Sequence, residues 1–169
     1  LYRIAIEDRI VFSGRFDDSN FPPIVPLLDT LGVGAAQFFV NSVDTRTQGL
    51  VLSLAHRMTD GAGKLNTYLA MNLSKTEVTA VHAPPALAGY EDVVLSERER
   101  LFIEQGGPRR KATLAFEYLL GKFGTEFKII HFGPQTLGTW SGSADVPNQH
   151  YEAKTSADLS LTYSFSDRT

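Results

Sequence analysis

One short segment contains the residue types that acid–base chemistry needs. It is His56-Arg57-Met58-Thr59-Asp60-Gly61, which follows an apolar stretch that begins at Val51. A histidine can act as a general base near neutral pH, and an Asp-Gly pair favours a tight turn. The same residues fit a histidine at the end of a strand that leads into a Thr-Asp-Gly turn. The sequence leaves both interpretations open and favours the structural one.

The spacing His-x-x-x-Asp-Gly resembles that of condensation-domain and related CoA-dependent acyltransferases. The resemblance implies that His56 would deprotonate a hydroxyl or amine that attacks a thioester, and that Asp60 would hold the loop. It also implies that Gly61 would permit a turn into a following helix. Position 55 is Ala, where condensation domains carry a second His. An acyltransferase-related fragment is the alternative function that this segment supports.

Three further groups of polar residues have both a binding and a structural interpretation. Arg109-Arg110-Lys111 could hold a phosphate or an acidic partner, or could be the charged start of a strand. Asp17-Asp18-Ser19-Asn20 offers oxygen ligands but lacks the glycine and distant Glu of an EF-hand, which favours a surface turn. The other histidines lack metal-ligand spacing: His82, His131 and His150.

Composition excludes several classes of site. The chain has 169 residues, a formal net charge of −3 and no cysteine. A disulfide framework, a thiolate nucleophile and a cysteine zinc site are therefore excluded. The interspersed charges do not favour broad attraction to nucleic acid. No run of about 18 apolar residues predicts a membrane-spanning helix, and we expect no membrane contact. We predict that the protein is not an enzyme, with no catalytic, cofactor-binding or metal-binding residues and no cofactor.

Alternating apolar and polar residues predict strands over much of the chain. The N-terminal segment is predicted to be a hairpin that turns at Glu7-Asp8-Arg9. A second strand pair is predicted on either side of a polar turn at 44–49. Two segments, 64–74 and 112–123, fit either a helix or a strand, and for 112–123 we favour a strand. Shorter strands are predicted at 76–83 and 126–132.

Two helices are predicted from their end signals. The segment 24–32 is a short helix that ends at Gly32. Ser96, with Glu99 three residues later, forms a capping box that begins a second helix. Gly106-Gly107-Pro108 ends this helix, because glycine readily takes the left-handed conformation and proline cannot continue a helix.

The most regular alternation is in the last segment of the chain. It predicts a strand with one buried and one wet face. No Lys, Pro or Gly occurs between Ala157 and Asp167, so an open edge there would recruit another strand. The strand must therefore be central in its own sheet or be covered by a neighbour. Its apolar positions are Ala157, Leu159, Leu161, Tyr163 and Phe165.

These elements predict an α+β, β-rich fold with mainly antiparallel sheets, sandwich or barrel-like, and one or two flanking helices. We expect a single domain over 1–169 with a polar arm at about 133–155. Trp140 stands alone in that arm. It supports a third interpretation, a small-ligand-binding β-domain with Trp140 at the mouth of a cavity.

The strand pair RRKATLAFEYL and SADLSLTYSFS is similar in style to small tail and head–tail junction proteins of bacteriophages. The resemblance implies a non-catalytic structural subunit of a homo-oligomeric ring, a phage-type tail or connector component. Its partners would be copies of itself and neighbouring structural proteins, with DNA passing through a lumen without sequence recognition. It implies a virion protein that is assembled in the host cytoplasm, and otherwise we expect a cytoplasmic location.

Overall fold

The computed structural model describes residues 1–139 and 146–165. About half of the chain lies in one six-stranded antiparallel sheet with the order β1-β2-β3-β4-β5-β8. The predicted β-rich α+β class with an antiparallel sheet is confirmed. The strands are β1 Tyr2–Phe12, β2 Phe39–Asp60, β3 Gly63–Val81, β4 Arg110–Leu120, β5 Phe123–Phe132, β6 Gln135–Leu137, β7 Gln149–Tyr151 and β8 Lys154–Tyr163.

Strands β2 and β3 run through two halves of this sheet, which differ in the strands that lie beside them. The first part of β2 pairs with β1 up to Gly49, and the part from Leu50 onward has only β3 beside it. Likewise, β3 pairs with β4 only as far as Leu73. We call β1, 39–49 of β2 and 74–81 of β3 the proximal half. The distal half comprises 50–60 of β2, 63–73 of β3, β4, β5 and β8.

The packed core lies in the proximal half. The helices there are α1 Val25–Leu31, α2 Glu91–Val94 and α3 Glu97–Gln105. Phe16 is fully buried and stacks on Phe38, with ring centroids 5.0 Å apart. A second small cluster surrounds Val43. The buried members of the main cluster are Phe16, Phe21, Ile24, Leu28, Leu87 and Val94.

Both predicted helices are confirmed. Helix α1 ends at Gly32, which has a φ of 65°. Helix α3 follows Ser96, whose side-chain oxygen accepts a hydrogen bond from the Glu99 N–H at 3.4 Å. The helix ends at Gly106-Gly107-Pro108 as predicted, but neither glycine is left-handed: Gly106 has a φ of −69° and its N–H donates to the Phe102 carbonyl. In the described residues, no helix has the length and apolar character to cross a membrane.

Two predicted turns are absent because neighbouring strands pair with the chain there. Strand β1 runs through Glu7-Asp8-Arg9, and Asp8 forms a bulge with a φ of 51°. Its N–H donates to a carboxylate oxygen of Asp44 at 3.0 Å. The segment 44–49 is the middle of β2 and pairs with β1 on one side and β3 on the other. Pairing on both sides therefore outweighs the turn preference of its Asp and Gly residues.

The two ambiguous segments are strands. Segment 64–74 belongs to β3, so no helix follows the His56 motif. Segment 112–123 contains most of β4, a tight turn with Gly121 at a φ of 57°, and the first residue of β5. In the polar arm at 133–155, β6 and β7 form a two-stranded sheet. Trp140 and Ser141-Gly142-Ser143 lie outside the described residues.

Candidate interaction surface

One side of the distal half is almost entirely apolar. Residues that pair directly across an antiparallel sheet point to the same side, so the register defines the two faces. One row across the five strands is Leu54, Leu69, Leu114, Ile129 and Ala157. We call this side the apolar face. Its other apolar members are Leu50, Leu52, Met58, Leu65, Met71, Leu73, Ala112, Phe116, Tyr118, Leu120, Phe123, Phe127, Leu159, Leu161 and Tyr163.

The side chains of this face are exposed on the two edge strands, and on the central strands they are exposed or half-buried. Leu54 is 61% exposed, Leu159 67% and Leu161 75%. Five strands about 4.8 Å apart and about 26 Å of strand length give a surface on the order of 600 Å². This equals or exceeds the largest apolar patch of an ordinary monomer, and its removal from water would contribute on the order of 15 kcal/mol. An exposed apolar surface of this size is typical of a site that contacts a partner or a nonaqueous medium.

The apolar face has a defined height. From Leu50 to Met58 the strand rises about 26 Å, at about 3.3 Å per residue. Beyond Leu50, the same side of the sheet becomes polar, with Gln48 opposite Lys75 and then Arg46 opposite Glu77. The face is thus a band, and it ends abruptly where the proximal half begins.

Aromatic rings border the opposite end of the band. The ring centroids of Phe123 and Tyr163 are 4.7 Å apart, and those of Tyr163 and Phe165 are 4.8 Å apart. The Tyr118 ring covers Gly63, where an added Cβ would lie 2.5 Å from the Tyr118 hydroxyl oxygen. Gly63 therefore allows this ring to lie flat against the sheet at its end.

The opposite side of the distal half carries most of its charge. We call it the polar face. Arg57 Nε donates to Asn66 Oδ1 at 3.1 Å, and Asn66 Nδ2 donates to Glu117 Oε2 at 2.7 Å, which links three strands. By contrast, the apolar face has few ionisable side chains apart from its tyrosines: among the described residues these are His56 and His131 within it and Asp60 and Arg110 in its end rows. The ionisable residues of the polar face are Arg57, Lys64, Lys111, Glu117, Glu126, Lys128, Lys154 and Asp158.

The distal half has two open edges. Strand β8 pairs only with β5, and 50–60 of β2 pairs only with β3, among the strands that the structure describes. The predicted terminal strand is confirmed at Lys154–Tyr163. The alternative that this strand is central in its own sheet is wrong, because β8 is an edge strand with every residue exposed, and cover by a neighbour stays a prediction. Both edges therefore present unpaired backbone groups that can bind a further strand.

His56 lies within β2, which continues to Asp60, and not at the strand end itself. It is paired with Thr67 and lies in the row of Phe116, Phe127 and Leu159. Along the extended strand, Asp60 is about 13 Å away, so it cannot orient the imidazole. Gly61, with a φ of 56°, forms the tight turn into β3. The motif therefore forms a hairpin end, and no side-chain hydrogen bond orients the His56 imidazole within residues 1–139 and 146–165.

The Asp17 cluster is a self-contained turn. One oxygen of Asp17 accepts from the Ser19 N–H, and the Asn20 side-chain oxygen accepts from the Asp17 N–H, both at 3.0 Å. The Ser19 hydroxyl bond is the main cause that lowers the pKa of Asp17. These oxygens already have partners within the turn. No group of three potential metal ligands occurs in the described part of the chain.

The other three histidines lie in separate hydrogen-bonded pairs. His82 Nε2 lies 2.8 Å from Asp44 Oδ2. His131 Nδ1 is 2.9 Å from the Thr155 hydroxyl, and His150 Nδ1 is 3.2 Å from the Thr136 hydroxyl. The structure does not bring these imidazoles together.

The cluster Arg109-Arg110-Lys111 divides between two sides of the sheet. Arg109 donates from Nε and Nη2 to the Glu104 carbonyl oxygen, at 3.3 and 3.2 Å, and so closes the end of α3. Arg110 lies beside Leu73 on the apolar side. Lys111 lies on the polar face, with its ammonium group 5.1 Å from the centroid of the Phe132 ring.

A recess of about 670 Å³ lies where the apolar face ends. Its apolar walls include Leu50 and Leu73, and its cations are Lys75, Arg109 and Arg110. Sequence reasoning singled out two of these cations and missed Lys75. Only the register of the paired strands places the three cations around one recess, and this register cannot be inferred from any single segment of the sequence.

Comparisons with protein-family models, with curated proteins and with solved structures find no match to this chain. The two faces, the open edges and the recess are therefore the observations on which a function can be built.

Proposed function

We propose that this chain is a non-catalytic structural protein whose distal half lies in a lipid bilayer. Its apolar face contacts the acyl chains, and its open edges are continued by further strands. The observation that carries the proposal is the exposed apolar band, about 26 Å high, on five adjacent strands. The polar face then lines the opposite, hydrated side of the same wall.

The lengths of the strands support a lipid bilayer as the surroundings of the distal half. Strands β4, β5 and β8 have 11, 10 and 10 residues. A tilted strand needs about 9–11 residues to cross a bilayer, and lipid-facing bands of such strands are about 25 Å high with aromatic borders. The tyrosines Tyr118 and Tyr163 lie at one such border, as expected for rings that prefer the lipid–water interface.

The charge distribution supports lipid better than a second protein surface. A protein partner could satisfy charged or polar groups scattered across an interface, whereas lipid tails cannot. Within its rows the apolar face offers two imidazoles and three threonine hydroxyls, and most of the charged side chains lie on the other face. These five residues are His56, His131, Thr67, Thr125 and Thr155. Alternation with a period of two residues is the pattern that lipid on one side and water on the other select.

Lipid contact differs from our expectation of no membrane contact, which followed from the lack of a long apolar run in the sequence. Strands need only every second residue to be apolar, so the lack of such a run does not exclude them. The open edges must then be paired, because unpaired N–H and C=O groups in lipid each cost several kcal/mol. The pairing strands can come from further copies or from another polypeptide segment.

The second candidate is the predicted ring-forming subunit of a phage-type assembly. The open edge of β8 favours it, because copies could pair edge to edge there. In that case a second protein layer must cover the apolar face. The two candidates thus agree on the edges and differ in what contacts Phe127, Leu159 and Leu161.

A pair of tryptophan variants separates the two candidates. In a Trp140→Phe background, Phe127→Trp introduces a single tryptophan on the apolar face, and Lys128→Trp is its matched control on the polar face. Each variant is reconstituted with phosphatidylcholine vesicles that contain brominated acyl chains. We expect strong quenching for the first variant and little for the second.

Equal weak quenching of both tryptophans, together with chain that does not float with the vesicles, would overturn the lipid proposal. A buried, unquenched tryptophan at position 127 in a defined oligomer would support the ring candidate. Since the chain has no cysteine, single-cysteine spin labels at Leu161 and Thr162 can repeat the comparison on β8.

A further inference from the structure

The recess at the end of the apolar face has the composition of a headgroup site. We propose that it binds the phosphate of an anionic lipid through Lys75, Arg109 and Arg110. The part of the acyl chains nearest to the headgroup would then contact Leu50 and Leu73. This inference rests on the proposed function, because it requires the apolar face to lie in lipid. It adds a chemical preference that a purely apolar wall would not have.

The position of the recess fits the depth of a phosphate group. Leu50, Leu73 and Arg110 form the last row of the apolar band. Gln48 and Lys75 form the next row toward the proximal half. A lipid whose tails lie along the band would therefore place its headgroup beside these cations.

The charge of the recess fits an anion. Its charged lining residues are three cations, and no carboxylate is among the lining residues that the structure describes. Glu77 contacts Lys75 from outside the lining, and the Lys75 ammonium is the main cause that lowers the pKa of Glu77. Gln48, Gln105, Gln135 and Thr136 add neutral hydrogen-bonding groups.

The backbone holds the cations in place. The Ser74 N–H donates to the Arg109 carbonyl at 2.8 Å, and the Gly133 N–H donates to the Arg110 carbonyl at 2.7 Å. The Arg109 guanidinium is fixed by two bonds to Glu104 and has further N–H groups for a ligand. Basic pockets at the edge of an apolar membrane surface are the usual means of selecting anionic headgroups.

The test measures lipid selectivity with spin-labelled lipids. The full chain is reconstituted in phosphatidylcholine, and the motionally restricted fraction is compared for labelled phosphatidylglycerol and labelled phosphatidylcholine. We expect phosphatidylglycerol to be preferred. The variant Lys75→Gln/Arg109→Gln/Arg110→Gln should lose more than tenfold of this preference, since each cation near a membrane surface is worth about fivefold.

Two further variants control for fold and for net charge. Lys75→Gln/Arg110→Gln keeps the Arg109 bonds to α3 and should still lose most of the preference. Lys64→Gln/Lys128→Gln/Lys154→Gln removes the same charge from the polar face and should leave the preference unchanged. Inorganic phosphate should not displace the labelled phosphatidylglycerol.

The outcomes separate this inference from the proposed function. If neither lipid is motionally restricted, the proposed function fails and the headgroup site fails with it. If both lipids are restricted equally, or if the triple variant at the recess keeps the wild-type preference, only the headgroup site is overturned. Displacement by inorganic phosphate would show a site for free phosphate and would also overturn it.

Discussion

Strand β2 passes through two regions of the molecule that are built differently. In the proximal half, Val43 has no exposed surface, because α-helical and loop segments cover it. In the distal half, Leu54 on the same strand is 61% exposed. The backbone pairing is continuous across the boundary. Val43 and Leu54 point to opposite sides of β2, and the comparison shows that this chain covers one apolar side of the strand with its own segments in the proximal half and leaves the other uncovered in the distal half.

The largest effect should follow from a cavity in the proximal half. We expect Phe16→Ala to lower the free energy of unfolding by about 3–5 kcal/mol, because Phe16 is fully buried against Phe21 and Phe38. Phe127→Ala should cost clearly less, since a fluid lipid chain refills the space and leaves no cavity. Denaturant titration of both variants in vesicles measures the difference, and equal losses would contradict the contrast between the halves.

A charge in the middle of the apolar face should have the next largest effect. Phe127→Arg should raise the free energy of membrane insertion by about 2–4 kcal/mol, the usual cost of a cation at mid-bilayer on a lipid-facing strand. Glu126→Arg, one residue away on the polar face, is the matched control and should cost little. Vesicle flotation across a urea series gives both values. Insertion of Phe127→Arg at wild-type urea concentrations would argue against lipid contact.

A smaller effect of opposite sign should come from His56. Replacing this imidazole by an apolar side chain removes a polar group from the band, so His56→Leu should favour insertion by on the order of 1 kcal/mol. His131→Leu is the comparison and should favour insertion less, because that imidazole lies on the same face but has a hydrogen-bond partner in Thr155. The same His56 variant tests the acyltransferase alternative. Loss of a measured acyl transfer on His56→Leu would revive that alternative.

The smallest effect should be a pH dependence confined to the proximal half. The hydrogen bond from His82 to Asp44 raises the pKa of His82 from its usual 6.5 and lowers the pKa of Asp44 from its usual 3.8. The His82 contribution is complete below pH 6.5 and is lost as the pH rises through the raised pKa. The Asp44 contribution is complete above pH 3.8 and is lost as the pH falls through the lowered pKa.

The pair therefore stabilises the protein most between pH 3.8 and 6.5. Both groups are exposed, so the change in melting temperature above that window should be slight. His82→Gln should remove the decline above pH 6.5 and leave vesicle quenching of a tryptophan at position 127 unchanged. A decline of the same size in the variant would mean that another group causes it.

Local patterns predicted the elements whose signals are local. The cap at Ser96, the end of α1 at Gly32 and the alternation of β8 all involve residues a few positions apart. The long β2 was not predicted, because the residues at 44–49 prefer a turn unless strands pair on both sides. Segment 64–74 was ambiguous for the same reason. The sequence of this segment fits both a helix and a strand, and pairing with β2 and β4 decides in favour of the strand.

The apolar face could be predicted only in fragments. Each strand shows alternation, but the sequence does not give the register that places Leu54, Leu69 and Leu114 in one row. The alternation of β8 predicted either a central place in its own sheet or cover by a neighbour. Periodicity indicates that one side avoids water and carries no information on what replaces the water. The recess depends on β2, β3 and the segment after α3, and so it also requires the register.

The length of β2 has a mechanical consequence. Its 22 residues extend without a break from the helical base to the far hairpin, and β3 follows it for 19 residues. Ladder hydrogen bonds lie perpendicular to the strands. A tensile load along β2 would therefore shear many of these bonds at once and would not peel them apart singly. The pair of long strands thus connects the proximal half stiffly to the β2–β3 turn, so that a force applied at one end would be transmitted to the other.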